Sequence, residues 1–297
     1  MDDETTYDVA VIGGGAAGLS AALVLGRARR RVAVIDAGAP RNAPAAHMQG
    51  FLSRDGMPPA ELLAAGRAEV TRYGVELIDD QVVSIEPGFI IHLGGGEELR
   101  ARRVLVTTGA WDETPDIAGV RERWGQDLLH CPRGWSRTHP AAVQHAQLVR
   151  QWSDDVIFFA HTYALTADEL VELDARGVQV VHGQVARLVV EADQLTGVEL
   201  VDGKVVDRTA VFIRPDIAPH ADGLLAGLGC AFNRAGFVDV DATGATSIAG
   251  VWAAGNAADP RAQVITAAGA GSAAAIAINA DLVHDDVARA VAARATA

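Results

Sequence analysis

The stretch from Tyr7 to Asp36, YDVAVIGGGAAGLSAALVLGRARRRVAVID, constrains what this chain can fold into more than any other. Val9, Val11 and Ile12 belong to a short apolar run of the buried-strand kind. The turn Gly13-Gly14-Gly15-Ala16-Ala17-Gly18 follows at once, an Ala/Leu-rich stretch predicts a helix to about Arg29, and residues 32–35 predict a second strand closed by Asp36. Gly13 permits the sharp turn, Gly15 lets the backbone approach a pyrophosphate, and Gly18 lets the helix pack close on the strand. The helix start offers free N–H groups and the positive end of its dipole to phosphates. Asp36 stands where an acid accepts hydrogen bonds from a ribose. Together these features predict an adenine dinucleotide site in an α/β fold.

The 297 residues suffice for two modest domains or one large one, and 49% hydrophobic residues can fill a sizeable core. A formal charge of −13 argues against nucleic acid or anionic membranes as partners, since both reward a basic face, and reads as solubility. Unbroken apolar runs fall short of the roughly 18–20 residues of a membrane span. The start, MDDETTYD, has no signal-peptide core, and Cys131 and Cys230 stand in neither metal-ligand nor CxxC spacing. A cytoplasmic protein without structural disulfides is the expectation. Spacing supports neither a metal cluster nor a Ser–His–Asp arrangement.

After Asp36 a Pro/Gly/Ala-rich segment to residue 59 is long for a simple connection, which predicts a functional loop over a ligand. A helix is expected over 59–73, a strand over 75–85, and a hairpin from 89–93 and 99–106 around the Gly94-Gly95-Gly96 turn. Thr107-Thr108-Gly109-Ala110 then makes a small-residue exit where backbone can pass close to a cofactor. Further on, 140–152 reads as helix and 156–159 as strand, and Thr166 with Glu169 forms a capping box opening a helix that ends near Gly177. Short β segments follow at 178–181, 185–190, 197–201 and 205–213. The strand 251–254, the turn Gly255-Asn256, a helix over 263–283 and a peripheral helix-prone tail complete the chain. Gly269 and Gly271 lie inside that helix with no strand before them, which reads as close packing.

The Gly13/Gly15/Gly18 turn, Asp36, Thr107-Thr108-Gly109, Val251-Trp252-Ala253-Ala254-Gly255-Asn256 and Ala262-Gln263-Val264-Ile265-Thr266 together resemble the low-molecular-weight thioredoxin reductases. Closer still is the resemblance to FAD-dependent dithiol oxidases that make disulfides in small natural products of the gliotoxin and holomycin type. The likeness covers nearly the whole chain. It implies a split FAD-binding, Rossmann-like three-layer domain, residues 1–111 and 216–297, with a shortened nicotinamide-type domain inserted at 112–215, and a homodimer. It implies FAD held by Gly13, Gly15, Ala16, Ala17 and Gly18 at the pyrophosphate and by Asp36 at the adenosine ribose. Ala37, Arg41, Asn42 and Gln49 on the following loop, Val83 through its backbone at adenine, and Thr108 and Gly109 at the exit complete that half. Gly255 and Asn256 are implied at the ribityl chain, with Gln263 and Val264 at the pyrimidine end of the flavin.

The departures from the family carry as much information. Its redox motif is a CxxC within a segment like HCPYCHGW, whereas this chain reads His130-Cys131-Pro132-Arg133-Gly134-Trp135, without the second Cys or the following His. One thiol cannot close an internal disulfide. The strand and glycine turn for NADPH are also missing, because Ser136-Arg137-Thr138-His139-Pro140 leads directly into a helix. Cys131 is a candidate lone redox thiol with His130 or Arg133 lowering its pKa, or a small buried relic. Trp135 and Trp111 can stack on flavin or substrate, or simply pack. His130, His139 and His145 are acid/base candidates, His145 on a helix face, and each is more simply explained as structural. His47 and Gln49 on the loop line the site or are solvated, and Arg27, Arg29, Arg30 and Arg31 read as a solvated helix end. The expected activity is oxidation of a small molecule directly at FAD, with O2 or a protein carrier as acceptor. The alternatives are a flavoprotein fed by a ferredoxin-type partner and a non-catalytic FAD- or nucleotide-binding protein.

Overall fold

The opening unit forms where its spacing predicts: β1 (Thr6–Ile12), α1 (Ala16–Arg27) and β2 (Val32–Ile35) follow one another in the computed structural model, which describes residues 6–130, 141–213, 215–220 and 222–295. Next come α2 (Pro59–Thr71), β3 (Glu76–Ile78), β4 (Val82–Glu86), β5 (Ile90–Leu93), β6 (Glu98–Val106) and β7 (Ala110–Glu113). The middle of the chain holds α3 (Val120–Arg123), β8 (Leu128–His130), α4 (Ala141–Val149), β9 (Ile157–Phe159), α5 (Ala167–Ala175) and β10 (Gln179–Val181). It continues through β11 (Val185–Glu191), β12 (Gln194–Leu200), β13 (Val205–Asp207), β14 (Val211–Ile213) and β15 (Asp216–Pro219). The last elements are α6 (Leu224–Gly227), β16 (Val251–Ala253) and α7 (Val264–Ala295).

These elements divide into two units. One comprises Met1–Ala43, His47–Trp111 and Ala218–Ala297, the other Pro44–Ala46 and Asp112–Ile217. The chain passes from one to the other in β7 and β15, and these two strands pair with each other.

In the first unit β3, β2, β1, β6 and β16 run parallel in that order, and β6 also pairs antiparallel with β5, which pairs with β4. All four residues of β2 are buried, as a parallel strand covered on both faces requires. On one face α1 and α7 pack through Ala21, Ala22, Leu25, Ala274, Ala275 and Ile278. The other face carries Ile85, Ile91, Val104, Leu224 and Val238. The strand expected over 75–85 is broken after Ile78: the Asp80 carboxylate accepts from the N–H groups of Gln81 and Gly95, and this turn ends one strand before the next begins.

The peripheral tail is also corrected. Residues 284–295 extend α7 without a break. Asp285 and Asp286 bind the Arg102 guanidinium at 2.9 and 2.5 Å, Asp281 binds Arg103, and Arg30 reaches Asn279 and Asp286. Arg30 is therefore a tie between α1 and α7 rather than a solvated dipole partner. Among the described residues one helix, Val264–Ala295, is long and apolar enough by composition to cross a membrane, although the sequence holds no unbroken apolar run of that length. Its inward residues Ala267, Gly271, Ala274, Ala275, Ile278 and Leu282 recur at helical spacing and bury against the core. Of the two glycines read as packing, a Cβ on Gly271 would collide with the Ala17 carbonyl, while Gly269 faces open space.

The second unit contains two parallel pairs, β10 with β9 and β14 with β8, and an antiparallel sheet β11-β12-β13. The strand expected over 205–213 is thus two, in different sheets. The capping box forms: the Thr166 hydroxyl accepts from the Glu169 N–H, and the Glu169 carboxylate accepts from the Thr166 N–H. Arg123, 6% exposed, binds Asp127 through two nitrogens and Asp193 through a third contact.

Candidate cofactor site

Four parallel strands of the first unit end in one row. Ile12 is in register with Ile35 on one side and Val106 on the other, and Val106 with Ala253. The residues immediately beyond these ends are the Gly13–Gly18 turn, Asp36, Thr107-Thr108-Gly109 and Ala254-Gly255-Asn256. Segments far apart in sequence therefore share the carboxyl edge of one sheet, where ligands of open α/β sheets bind.

The glycine turn is held from two sides. The Gly13 N–H donates to Ile35 O at 2.7 Å, and the Thr107 hydroxyl donates to Ile12 O and Gly13 O at 3.0 and 2.8 Å. Gly13 has φ +104°, where a Cβ would press on the Thr107 carbonyl. A Cβ on Gly18 would overlap Gly13 O and stand 2.7 Å from Thr107 Oγ1. At Gly15 the opposite holds: a Cβ would meet nothing within 4 Å. Gly15 is also the N-cap of α1, without a side-chain cap, and the first turn carries no acid. The space beside this uncapped helix start is open at Gly15, and a pyrophosphate fits there.

Asp36 lies over this turn, its carboxylate 2.7 Å from where a Cβ on Gly14 would stand. Its backbone N–H donates to Ile78 O, and its carboxylate is 3.6 Å from Arg67, which also binds Asp79. Arg67 is a residue the sequence reading missed, since nothing in the spacing of α2 connects it to Asp36. Of the loop residues, Ala37 and Gln49 are exposed and Asn42 is half-buried. Arg41 donates to Asn256 Oδ1 at 3.4 Å. The exposed His47 has its Nδ1 3.1 Å from the Gly56 carbonyl, so it closes its own loop.

Asn256 is oriented by its amide, which donates to Asp259 O and Ala262 O at 2.9 and 3.0 Å. That bond fixes the turn into α7, where the Gln263 carbonyl accepts from the Ala267 N–H and the Thr266 hydroxyl. Gln263 is exposed and Val264 half-buried at that helix start. Gly255, with φ +69°, packs against Ala17. Thr108 is half-buried, and Gly109, at φ +84°, faces open space. Val83, 59% exposed, is the residue passed over at a register shift between β4 and β5, so its backbone groups stand outside the ladder.

Cys131, Trp135 and His139 lie outside the described residues, and His130 closes β8. His145 is buried in α4, its ring 6.5 Å from that of Phe212, so it belongs to the core of the second unit. Trp111 is half-exposed. Cys230 is buried with Sγ 3.5 Å from the Thr246 hydroxyl, and burial pushes its thiol pKa up, away from reactivity.

The sequence profile of the pyridine nucleotide-disulphide oxidoreductases matches residues 7–143 and 156–272, and the chain belongs to that family. Among its relatives, thioredoxin reductase sirT of Leptosphaeria maculans is 30% identical over 322 aligned positions, covering 95% of this chain and 96% of sirT. The crystal structure of HlmI superposes with a TM-score of 0.92 at 54% identity, covering 100% of this chain and 99% of HlmI. An oxidoreductase from Agrobacterium tumefaciens gives 0.86 at 33% identity, over 94% of this chain and 99% of its own. Within the family the protein is thioredoxin reductase-like, an oxidoreductase whose cofactor is FAD.

Proposed function

We propose that the protein oxidises a small molecule directly at FAD, using neither NADPH nor an internal cysteine pair, and passes the electrons to O2 or to a protein carrier. The observation that carries this reading is the contrast within one chain. The βαβ unit, its Thr107 latch and the open space at Gly15 are intact, while His130-Cys131-Pro132-Arg133-Gly134-Trp135 has one cysteine and no glycine turn follows it.

When bound, FAD supplies the two-electron acceptor. The chain's own residues bind and orient. The N–H groups at the start of α1 take the pyrophosphate, Asp36 the ribose, and the exposed backbone of Val83 the adenine edge. Arg41 and Asn256 stand at the ribityl end, and the N-terminus of α7 at Gln263 and Val264 favours an electron-rich pyrimidine end. Cys131 and His130 are the candidate groups at the substrate side. The relatives named thioredoxin reductases, such as sirT, reduce the weight of a pure binding protein. A homodimer is part of the proposal, supported by Ile276, Val283, Val287 and Val291, which form an exposed apolar stripe on α7.

The test is stopped-flow mixing of the yellow protein with NADPH under anaerobic conditions. No bleaching within seconds is expected, whereas candidate small-molecule thiols bleach it and air restores the colour. Rapid bleaching by NADPH would overturn the proposal. Bleaching only by reduced ferredoxin favours the partner-fed alternative, and bleaching by neither favours the non-catalytic one.

A further inference from the structure

The second unit holds a cavity of about 330 Å³ that owes nothing to the glycine turn or to the residues placed at FAD. Such a volume is near the lower end of the range for small-molecule pockets, roughly 300–1,000 Å³. Its walls include three consecutive residues of β9, Ile157, Phe158 and Phe159, and three of β14, Val211, Phe212 and Phe212's neighbour Ile213. Consecutive residues of a strand point to opposite faces. A cavity touching all three therefore runs along the edge of the strand and not over one face.

Both edges are without a further strand among the described residues. Among the described residues β9 pairs with β10 and β14 with β8, and neither pairs with a strand on its other side. In a parallel ladder, alternate residues turn their N–H and C=O toward a given neighbour. The Gln179 N–H donates to Val156 O and the Ala160 N–H to Val181 O, so 156, 158 and 160 face β10. Ile157 and Phe159 then present their backbone groups to the other edge. In β14 the Val211 N–H donates to Asp127 O, so 211 and 213 face β8 and Phe212 turns away from it. The cavity is thus bordered by peptide donors and acceptors on two edges and by Val120, Leu128, Ala146 and Leu188 on its faces.

Charge narrows the ligand further. The lining guanidinium of Arg208 is matched by Asp155 at 2.7 Å, and its Nε is buried with no hydrogen-bond partner among the described residues. No net positive charge remains for a pyrophosphate, while one N–H donor waits for a carbonyl. We propose that this slot binds a small, flat, uncharged molecule with amide groups on its edges and apolar faces, of the size and class of a blocked, extended dipeptide. Such a ligand satisfies the backbone groups of Ile157, Phe159 and Phe212 as a short piece of strand would.

The probe is N-acetyl-valyl-valine N-methylamide, titrated calorimetrically into the full-length flavoprotein, with backbone hydrogen exchange followed in parallel. Saturable binding of one molecule per chain is expected, with slowed exchange at the amides of Ile157, Phe159 and Phe212. Filling the cavity by Ala146→Phe, or narrowing its rim at the exposed Ala210 by Ala210→Trp, is expected to weaken binding at least tenfold. The rim variant carries the test if the interior one does not fold. Absence of binding to the wild type, binding without slowed exchange at those three amides, or unchanged affinity in the folded variants would overturn the proposal.

Discussion

Gly15 and Gly18 sit three residues apart and are expected to fail in opposite ways when each is replaced by alanine. At Gly15 the backbone has φ −76° and ψ −171°, ordinary for any residue, and a methyl meets no protein atom within 4 Å. Losing glycine's flexibility in the unfolded chain stabilises by about 0.4–1 kcal/mol. Alanine is the poorer N-cap by a similar ~0.5–1 kcal/mol, so the two terms nearly cancel. The apoprotein should therefore melt within a few degrees of wild type. The methyl, however, occupies the open space that the proposed reading gives to the pyrophosphate. A loss of at least a hundredfold in FAD affinity is expected, about 2.8 kcal/mol at 1.4 kcal/mol per tenfold. At Gly18 the methyl collides with Gly13 O and Thr107 Oγ1, both fixed by hydrogen bonds. Overpacking a site that cannot yield costs about 3 kcal/mol or more, so this apoprotein should melt clearly lower before any cofactor is added. Scanning calorimetry of the two apoproteins and flavin fluorescence titrations read both effects. Wild-type FAD affinity in Gly15→Ala, or equal destabilisation of both variants, would refute the reasoning.

Thr107→Val removes a buried hydroxyl that donates to two carbonyls, which should cost about 1–3 kcal/mol and loosen the turn, whereas Thr107→Ser should retain most of the stability; urea unfolding distinguishes them. Arg102 and Arg30 hold the Asp285 and Asp286 carboxyls below the usual carboxylate range. Because the folded pKa is the lower one, their contribution is complete above the unfolded value near 4 and is lost as pH falls through the folded value. The melting difference between wild type and Arg102→Met should therefore be largest near neutral pH and shrink below about pH 4. A constant difference across that range would show that the ion pairs contribute nothing. Finally, Val287→Glu should shift the sedimentation coefficient toward a monomer if the stripe on α7 joins two copies; an unchanged coefficient removes α7 from the interface.

What could be read from the sequence was what is decided locally. The strand–turn–helix of residues 7–27 is set by apolar runs around glycines, and the start of α5 by the reciprocal bonds of Thr166 and Glu169, all within a few residues. What could not be read depends on distant partners. His284-Asp285-Asp286 has the composition of a solvated tail, and only Arg102, some 183 positions earlier, makes it part of a long helix. The Thr107-Thr108-Gly109 exit was visible as small residues, but the bond from the Thr107 hydroxyl to Gly13 O joins positions 94 apart. Arg67 beside Asp36 and the slot between β9 and β14 are likewise products of packing, without a pattern in the chain.

The pairing of β7 with β15 places the point where the chain departs for its second unit beside the point where it comes back. Seen from the sheet of β1, everything in between is a guest entering and leaving by a single doorway. Such a guest can shed a strand, or change in length, without altering the register of its host. A chain joined this way is free to keep its grip on one nucleotide while its other half is rebuilt for something else.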